Sequence, residues 1–282
     1  MPSKVLGNET IVVSFSRLNS FFQQWVIAPK LYSFLVSPPP GIEIGASPTP
    51  LSPAGKKPAT LREIQMASPR EIVWVSVENL RLWGRAFTPN QQQLVRYFRD
   101  GLGSLKRFYD LHQPTNQIEA IFLDPNDVGG FTPVAPSRQR LPWSWERNRT
   151  VTPEFGPVSQ AQVDLEASRL DLVRDSVERY GFLGQGHGSI KFGEILVDDT
   201  RPHGTDFRVL VHTGFHRVSL LAFLGWPLIP MAPKQSLTPR DIRLSSVSSW
   251  PGVLDGNYSE SAAIAFFLAY FRDPLDTFLP DW

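Results

Sequence analysis

The chain has 282 residues, enough to bury a sizeable core and to form one or two domains. Its 28 basic and 27 acidic residues give a formal net charge of +1. This balance argues against a broad basic surface that binds the phosphate backbone of a nucleic acid. The absence of cysteine excludes disulfides, thiolate catalysis and cysteine-bound zinc, and it is consistent with a cytoplasmic protein.

The first 60 residues are predicted to precede the ordered part of the chain. Residues 1–36 form an apolar leader that Arg17 and Pro29 interrupt, so no run reaches the roughly 20 apolar residues that span a bilayer. We expect a packing segment or a poorly ordered leader there, and an interfacial helix, with membrane association, is the alternative. Residues 37–60 are rich in proline, which predicts an extended linker and an ordered part that starts near Leu61.

Residues 61–160 are predicted to be a helical and irregular N-terminal part that packs on the core. Residues 71–80 alternate in the manner of a strand. Residues 88–111 show helical spacing, with Thr88 as the cap and with glycines at 101 and 103 dividing the run into two helices. Residues 124–159 are dense in proline, glycine and tryptophan, which is typical of a long irregular connection.

The tryptophans have two interpretations, as core residues or as the lining of a sugar-binding groove. Aromatic side chains suit both roles, and we favour the core. The side chains concerned are Trp83, Trp143, Trp145 and Trp250.

Residues 161–232 are predicted to be the core, and residues 233–282 a C-terminal helical extension. Ser159 is the expected cap of a long helix that ends at Gly181. Two apolar runs separated by a polar turn then predict a hairpin, followed by a short helix closed by Gly225 and by a short strand. Ser259 is the expected cap of the last helix.

A candidate anion site lies where the second hairpin strand becomes a helix. The sequence there is Thr213, Gly214, Phe215, His216 and Arg217. The first N–H groups of a helix lack internal partners and carry partial positive charge, and an arginine fork matches phosphate oxygens, so this stretch predicts a phosphate cradle. In the alternative interpretation, the arginine pairs with an acid from the long connection and the histidine packs beneath it. The residues alone leave both open.

The order of segments around this junction resembles the core of the ParB/sulfiredoxin superfamily. A helix ending "SVERYG" is followed by "ILV", a turn, "FRVLVHTGFHRVSLLAFLG" and "LIP". In that superfamily a strand runs into G-x-H-R or G-x-R-R and a helix, and the motif holds nucleotide phosphates. Members include ATP-dependent sulfinic-acid reductases, a free-serine kinase and nucleotide-hydrolysing DNA-partition clamps. The resemblance covers residues 165–232 and implies that residues 213–217 bind a nucleotide.

A wider likeness extends from Arg70 to the end of the chain. The stretches "LPWSW", "TPEFGPVS" and "SSWPGVLDGNYSESAAIAFFLAYF" are similar to a family of uncharacterised ParB-like proteins associated with bacterial surface-polysaccharide gene clusters. This resemblance implies a related fold and a setting in polysaccharide biosynthesis.

Three departures from the superfamily limit the implied activity. Phe215 stands where sulfiredoxins carry a cysteine, which excludes sulfinic-acid repair. Thr213 stands where many relatives have an acid, which puts a magnesium or base role there in doubt. The residues after Met231 do not read as the helix-turn-helix module of partition clamps, so DNA binding is the least favoured function.

Phosphoryl transfer also needs a carboxylate that orients the nucleophile or holds a metal. Glu194, just before the apolar part of the first hairpin strand, is the first candidate, because the serine kinase of the superfamily keeps acidic groups in that region. Asp198 is the second, with an ordinary role in the turn as its alternative. Glu154 is the third, if the fold brings it to the cradle. The histidine spacing does not predict a protein-bound metal site.

These observations predict an α+β fold with a ParB/sulfiredoxin-like core, a small mixed sheet with helices, wrapped by further helices on both sides. The first functional hypothesis is a nucleotide-dependent phosphotransferase or hydrolase in surface-polysaccharide biosynthesis, with ATP or another nucleotide and Mg²⁺ as cofactors. The alternative is a non-catalytic module that binds a nucleotide, a phosphorylated small molecule or a phosphorylated glycan. A DNA-binding ParB-like protein is the third.

Overall fold

The computed structural model describes residues 49–114, 141–144, 158–184, 189–202, 204–234 and 240–273. Within them the fold is α+β, as the sequence predicts. The helices are α1 (Leu61–Met66), α2 (Gln93–Asp100), α3 (Leu102–Leu111), α4 (Gln160–Tyr180), α5 (Phe215–Phe223), α6 (Pro251–Leu254) and α7 (Glu260–Leu268). The strands are β1 (Val73–Ser76), β2 (Leu80–Arg81), β3 (Ile190–Asp198), β4 (Asp206–Thr213), β5 (Leu228–Pro233) and β6 (Arg240–Arg243).

The six strands of the described residues form one mixed sheet in the order β1-β5-β3-β4-β2, with β6 also paired to β3. The β3–β4 hairpin is antiparallel, as predicted, and β5 and β6 both run parallel to β3. β5 pairs with the first part of β3 and β6 with the second part. The long strand β3 is therefore bonded along most of both edges, and it is the centre of the sheet.

Local sequence signals define most of the element boundaries. The Ser159 hydroxyl accepts a hydrogen bond from the N–H of Gln162, and Gly181 ends α4 with a φ of 70°. Gly101, with a φ of 79°, separates α2 from α3 as predicted. Thr88 is not the cap position of α2, because the regular helix starts only at Gln93, with Gln92 at its cap; the carbonyl of Thr88 accepts two turn hydrogen bonds just before it.

Each face of the sheet carries its own apolar cluster. Ile195 and Val197 of β3 pack together with Val218 and Leu221 of α5 on one face. Leu196, which points the opposite way because side chains alternate along a strand, packs on the other face. That second cluster also contains Ile242, Trp143, Trp250, Phe266 and Phe267. Trp143 and Trp250 are therefore core residues, as favoured from the sequence.

A third cluster joins the helices that surround α5. It contains residues of α2, α3 and α4 together with one residue of α5: Leu94, Tyr97, Phe98, Leu105, Val163, Ala167, Leu170 and Leu220. Of the helices before the predicted core, α2 packs directly on α5, where the rings of Phe98 and Phe223 stack with 5.9 Å between their centres. The packing of these helices decides which side chains lie near the first turn of α5.

The predicted linker, residues 37–60, overlaps the described residues from 49 onward. Within that overlap the Leu51 N–H donates to the Phe182 carbonyl and the Ala59 N–H donates to the Trp74 carbonyl, each at 2.7 Å. Thr60 then caps α1 through a reciprocal pair of bonds with Glu63. The packed part of the chain therefore begins before residue 61. A proline-rich segment does not form a continuous strand, but isolated backbone hydrogen bonds of this kind do not require one. Residues 37–48 lie outside the described part.

Within the described ranges, no helix has both the length and the apolar character required to cross a membrane. The apolar leader predicted for residues 1–36 lies outside them.

Candidate functional site

The junction between β4 and α5 depends on Gly214. Its φ of 83° and ψ of 20° place it in the left-handed region, which disfavours side chains. A methyl group at this position would lie 3.1 Å from the Cα of Ile190 and 3.2 Å from its Cγ1. Glycine is therefore needed here both for its backbone conformation and for the close approach of β3.

The first turn of α5 presents backbone donors outside the helical hydrogen-bond ladder. The ladder starts with the Val218 N–H, which donates to the Gly214 carbonyl at 3.0 Å. The N–H groups of Phe215, His216 and Arg217 precede it, and the cap residue, Gly214, makes no side-chain cap bond to them. Three donors and the positive end of the helix dipole therefore converge where the sequence predicts a phosphate.

His216 is held by an acid that lies on α4. Its Nε2 is 2.8 Å from Oε1 of Glu166, and the two side chains are 17% and 16% exposed. Burial alone would raise the pKa of Glu166, but the hydrogen bonds and charges of His216 and Arg169 together outweigh it, so the pKa lies below the usual 4.5. Glu166 is therefore an anion at neutral pH, and it fixes the orientation of the imidazole.

The pair differs from the alternative interpretation, in which Arg217 pairs with an acid from the long connection. In the structure it is His216 that has an acidic partner, and that partner lies on the long helix. Arg217 is partly buried in the first turn of α5, next to His216. Thr213 is exposed at the end of β4. The phosphate-site residues predicted from the sequence are thus together at one junction.

Glu166 was not predicted as a site residue, although the sequence contains a signal for it. Val163, Ala167 and Leu170 form the buried face of α4, and position 166 follows position 163 by three residues. A carboxylate at this spacing interrupts an otherwise apolar stripe. A carboxylate that is largely withdrawn from water favours a partner, and Oε1 of Glu166 is bonded to the histidine of the motif.

A small cavity of about 40 Å³ adjoins this pair. It lies between α2, α3, α4 and the start of α5, and Glu166 and Phe215 form part of its wall. The remaining lining residues are Leu82, Trp83, Arg85, Gln93, Leu94, Phe108, Tyr109, His112 and Pro114. About three water-sized groups fill such a volume, since roughly 10–15 Å³ holds one water.

The carboxylates predicted for catalysis do not meet at this junction. Glu194 alternates with Ile195 along β3 and so faces away from α5, where the indole N–H of Trp143 donates to its Oε2 at 3.3 Å. Asp198 lies on the same far face and accepts bonds from Thr200 and Arg201. That arrangement matches the turn role considered for Asp198. Glu154 lies outside the described residues.

In the part of the chain that the structure describes, no group of three or more His, Asp or Glu side chains is arranged to hold a metal ion. Comparisons with protein-family models, with curated proteins and with solved structures return no match to this chain. The candidate site is therefore defined by its geometry: a glycine-initiated helix, a histidine held by a half-buried glutamate, an arginine and an adjoining cavity with apolar and polar walls.

Proposed function

We propose that this protein binds the phosphate group of a nucleotide or of a phosphorylated glycan at the start of α5. The observation that carries the proposal is the left-handed Gly214, which opens α5 with three donors outside its hydrogen-bond ladder. Arg217 supplies the planar fork, and Glu166 orients the imidazole of His216, which precedes Arg217 in the same helical turn.

We also propose a ParB/sulfiredoxin-like relationship for residues 161–232. The order of elements supports it: α4 is followed by the β3–β4 hairpin, by Gly214 and α5, and then by β5. This is the order that the resemblance implies. It accounts for a strand that runs directly into a glycine and a helix, with the histidine and arginine in the first turn.

A binding module is the function best supported by the positions of the carboxylates. Glu194 and Asp198 lie on the far face of the sheet, and Thr213 replaces the acid found in many relatives. The second candidate is a nucleotide-dependent phosphotransferase or hydrolase that uses ATP or another nucleotide with Mg²⁺. One observation favours it, namely the anionic Glu166 beside the proposed phosphate position.

Calorimetric titration tests the binding site. ATP and CTP, with and without Mg²⁺, are titrated into the parent, Arg217→Ala and Arg217→Lys, and Arg62→Ala is the control because Arg62 is exposed on α1. We expect Arg217→Ala to weaken binding by about 2–4 kcal/mol, and Arg217→Lys to recover only part of it, because an ammonium lacks the fork. Melting curves establish that each variant folds.

A folded Arg217→Ala protein that binds every ligand bound by the parent with parental affinity overturns the proposal. Release of inorganic phosphate or transfer to an added acceptor then separates the two candidates. An enzyme shows turnover that Glu166→Gln reduces, whereas a binding module shows none at any nucleotide concentration.

A further inference from the structure

The cavity beside Glu166 contains a buried polar group that has no part in the proposed phosphate site at the start of α5. Gln93, the first residue of α2, is only 8% exposed and lines the cavity. No donor among the described residues reaches its Oε1. A buried amide oxygen without a donor costs stability, so this position favours a ligand that brings an N–H or O–H group.

Glu166 adds a second acceptor to the same cavity wall. Its Oε1 is bonded to His216, and its Oε2 is 3.5 Å from Nη1 of Arg169. A carboxylate has about four lone-pair sites, so these two contacts leave acceptor capacity for a ligand.

Cationic and aromatic side chains form the other walls. The Arg85 guanidinium lies 5.4 Å from the ring centre of Phe108, and both line the cavity. The His112 ring lies beside the same ring, tilted by 49° and with 5.1 Å between the ring centres. Trp83 completes this side and has a φ of 52°, so its ring is presented from a backbone conformation that such residues rarely adopt.

The charges of the walls select the chemical class of the occupant. Glu166 and the Gln93 oxygen disfavour an anion, and the buried guanidinium of Arg85 disfavours a cation. A hydroxyl group donates and accepts at once, and aromatic walls suit the C–H groups that carry it. The volume of about 40 Å³ admits a hydroxymethyl group or a pair of hydroxyls, but not a whole sugar ring or base.

We propose that this cavity is the subsite for a neutral, hydroxylated part of the ligand whose phosphate lies at the start of α5. The proposal rests on the proposed function and gives the ligand a second feature, hydroxyl groups close to the phosphate. Phe215 connects the two sites, because it is the first residue of α5 and also lines the cavity.

Two matched probes test the subsite. Glycerol 3-phosphate and propyl phosphate carry the same charge on the same carbon skeleton and differ in two hydroxyl groups. Both, together with inorganic phosphate, are titrated into the parent, Gln93→Met and Arg217→Ala. Methionine keeps the length of the side chain but lacks the amide, and Gln160→Leu is the control on the exposed start of α4.

We expect the parent to bind glycerol 3-phosphate at least tenfold more tightly than propyl phosphate. Gln93→Met should reduce this preference to about twofold while its affinity for inorganic phosphate is unchanged. Arg217→Ala should weaken all three probes by the same factor.

Equal affinities of the parent for the two organic phosphates would refute the subsite proposal. If inorganic phosphate and both organic phosphates nevertheless bind, the proposed phosphate site is still supported. A folded Gln93→Met protein that keeps the full preference also overturns the subsite. If none of the three phosphates binds the parent, the proposed function fails and the subsite fails with it.

Discussion

Replacing Gly214 by alanine should destabilise the folded state in two ways, through the strained backbone conformation and through a close contact with Ile190. Gly225, at the other end of the same helix, is the matched control. The two glycines have φ values of 83° and 76°, so alanine meets a similar backbone penalty at each. Their surroundings differ. The added methyl group lies 3.1 Å from the Cα of Ile190 at position 214, whereas at 225 no heavy atom of the described residues is within 4 Å.

The expected magnitudes follow from these distances. A left-handed conformation costs an alanine about 1–2 kcal/mol, and this is the whole cost expected for Gly225→Ala. At position 214 the neighbour is the backbone of a central strand, which cannot turn away as a side-chain tip can. Overpacking of this kind adds about 1–3 kcal/mol, so Gly214→Ala should lose about 2–5 kcal/mol in total.

Urea denaturation of the two variants and the parent measures the difference directly. The slope of the unfolding free energy against urea should be the same for all three proteins, since the surface exposed on unfolding does not change. Equal losses of stability at the two positions would show that β3 does not approach the junction as closely as described. The close contact of Gly214 with Ile190 would then be wrong.

Two further predictions concern side chains that lie away from the candidate site. Asp198→Asn should lower stability at pH 7 by about 1–2 kcal/mol, because it weakens the bonds to Arg201 and Thr200. Burial alone would raise the pKa of Asp198, but the bonds from Arg201 and Thr200 outweigh burial and hold the pKa below 3.8. The stabilisation of the folded state by the ionised Asp198 is therefore present above pH 3.8 and is lost as the pH falls. Denaturation at pH 7 and pH 3 should show the difference from the parent shrinking at pH 3, and a constant difference would contradict this sign. Arg81→Met should cost about 2–5 kcal/mol, because the buried guanidinium donates to the carbonyls of Tyr270 and Leu80 and methionine leaves them unsatisfied. Parental stability of Arg81→Met in a melting curve would refute that role.

The sequence was sufficient where the determinant is local. Ser159 caps α4 because its own hydroxyl reaches the N–H of Gln162, and Gly101 separates two helices because its own φ is positive. The hairpin likewise follows from two apolar runs and one turn. In the first two cases the interacting residues lie within a few positions of one another, and in the hairpin a single turn joins the two paired strands, so the local pattern contains the cause.

The sequence was insufficient where the partner is distant or where a face must be chosen. The pairing of His216 with Glu166 joins residues 50 positions apart, and only the packing of α4 on α5 brings them together. Glu194 was expected near the phosphate because the serine kinase of the resembled superfamily keeps acidic groups in that region, but the alternation of side chains along β3 turns it to the far face. Closeness along a strand does not indicate on which face of the sheet a side chain lies.

The long-range pairing of the first and last parts of the sheet has a consequence for how the protein is made. β1 is bonded to β5, and the Arg81 guanidinium donates to a carbonyl 189 residues later in the chain. At about 5–20 residues per second, the ribosome needs roughly 10–40 s to deliver that carbonyl after Arg81 has been made. Until β4 and β5 have been made, the early strands β2 and β1 have no partners and expose unpaired edges. We expect folding to be slow and largely post-translational, as is typical of domains with high contact order, and we expect the yield of native protein to be sensitive to chaperones and to the rate of synthesis.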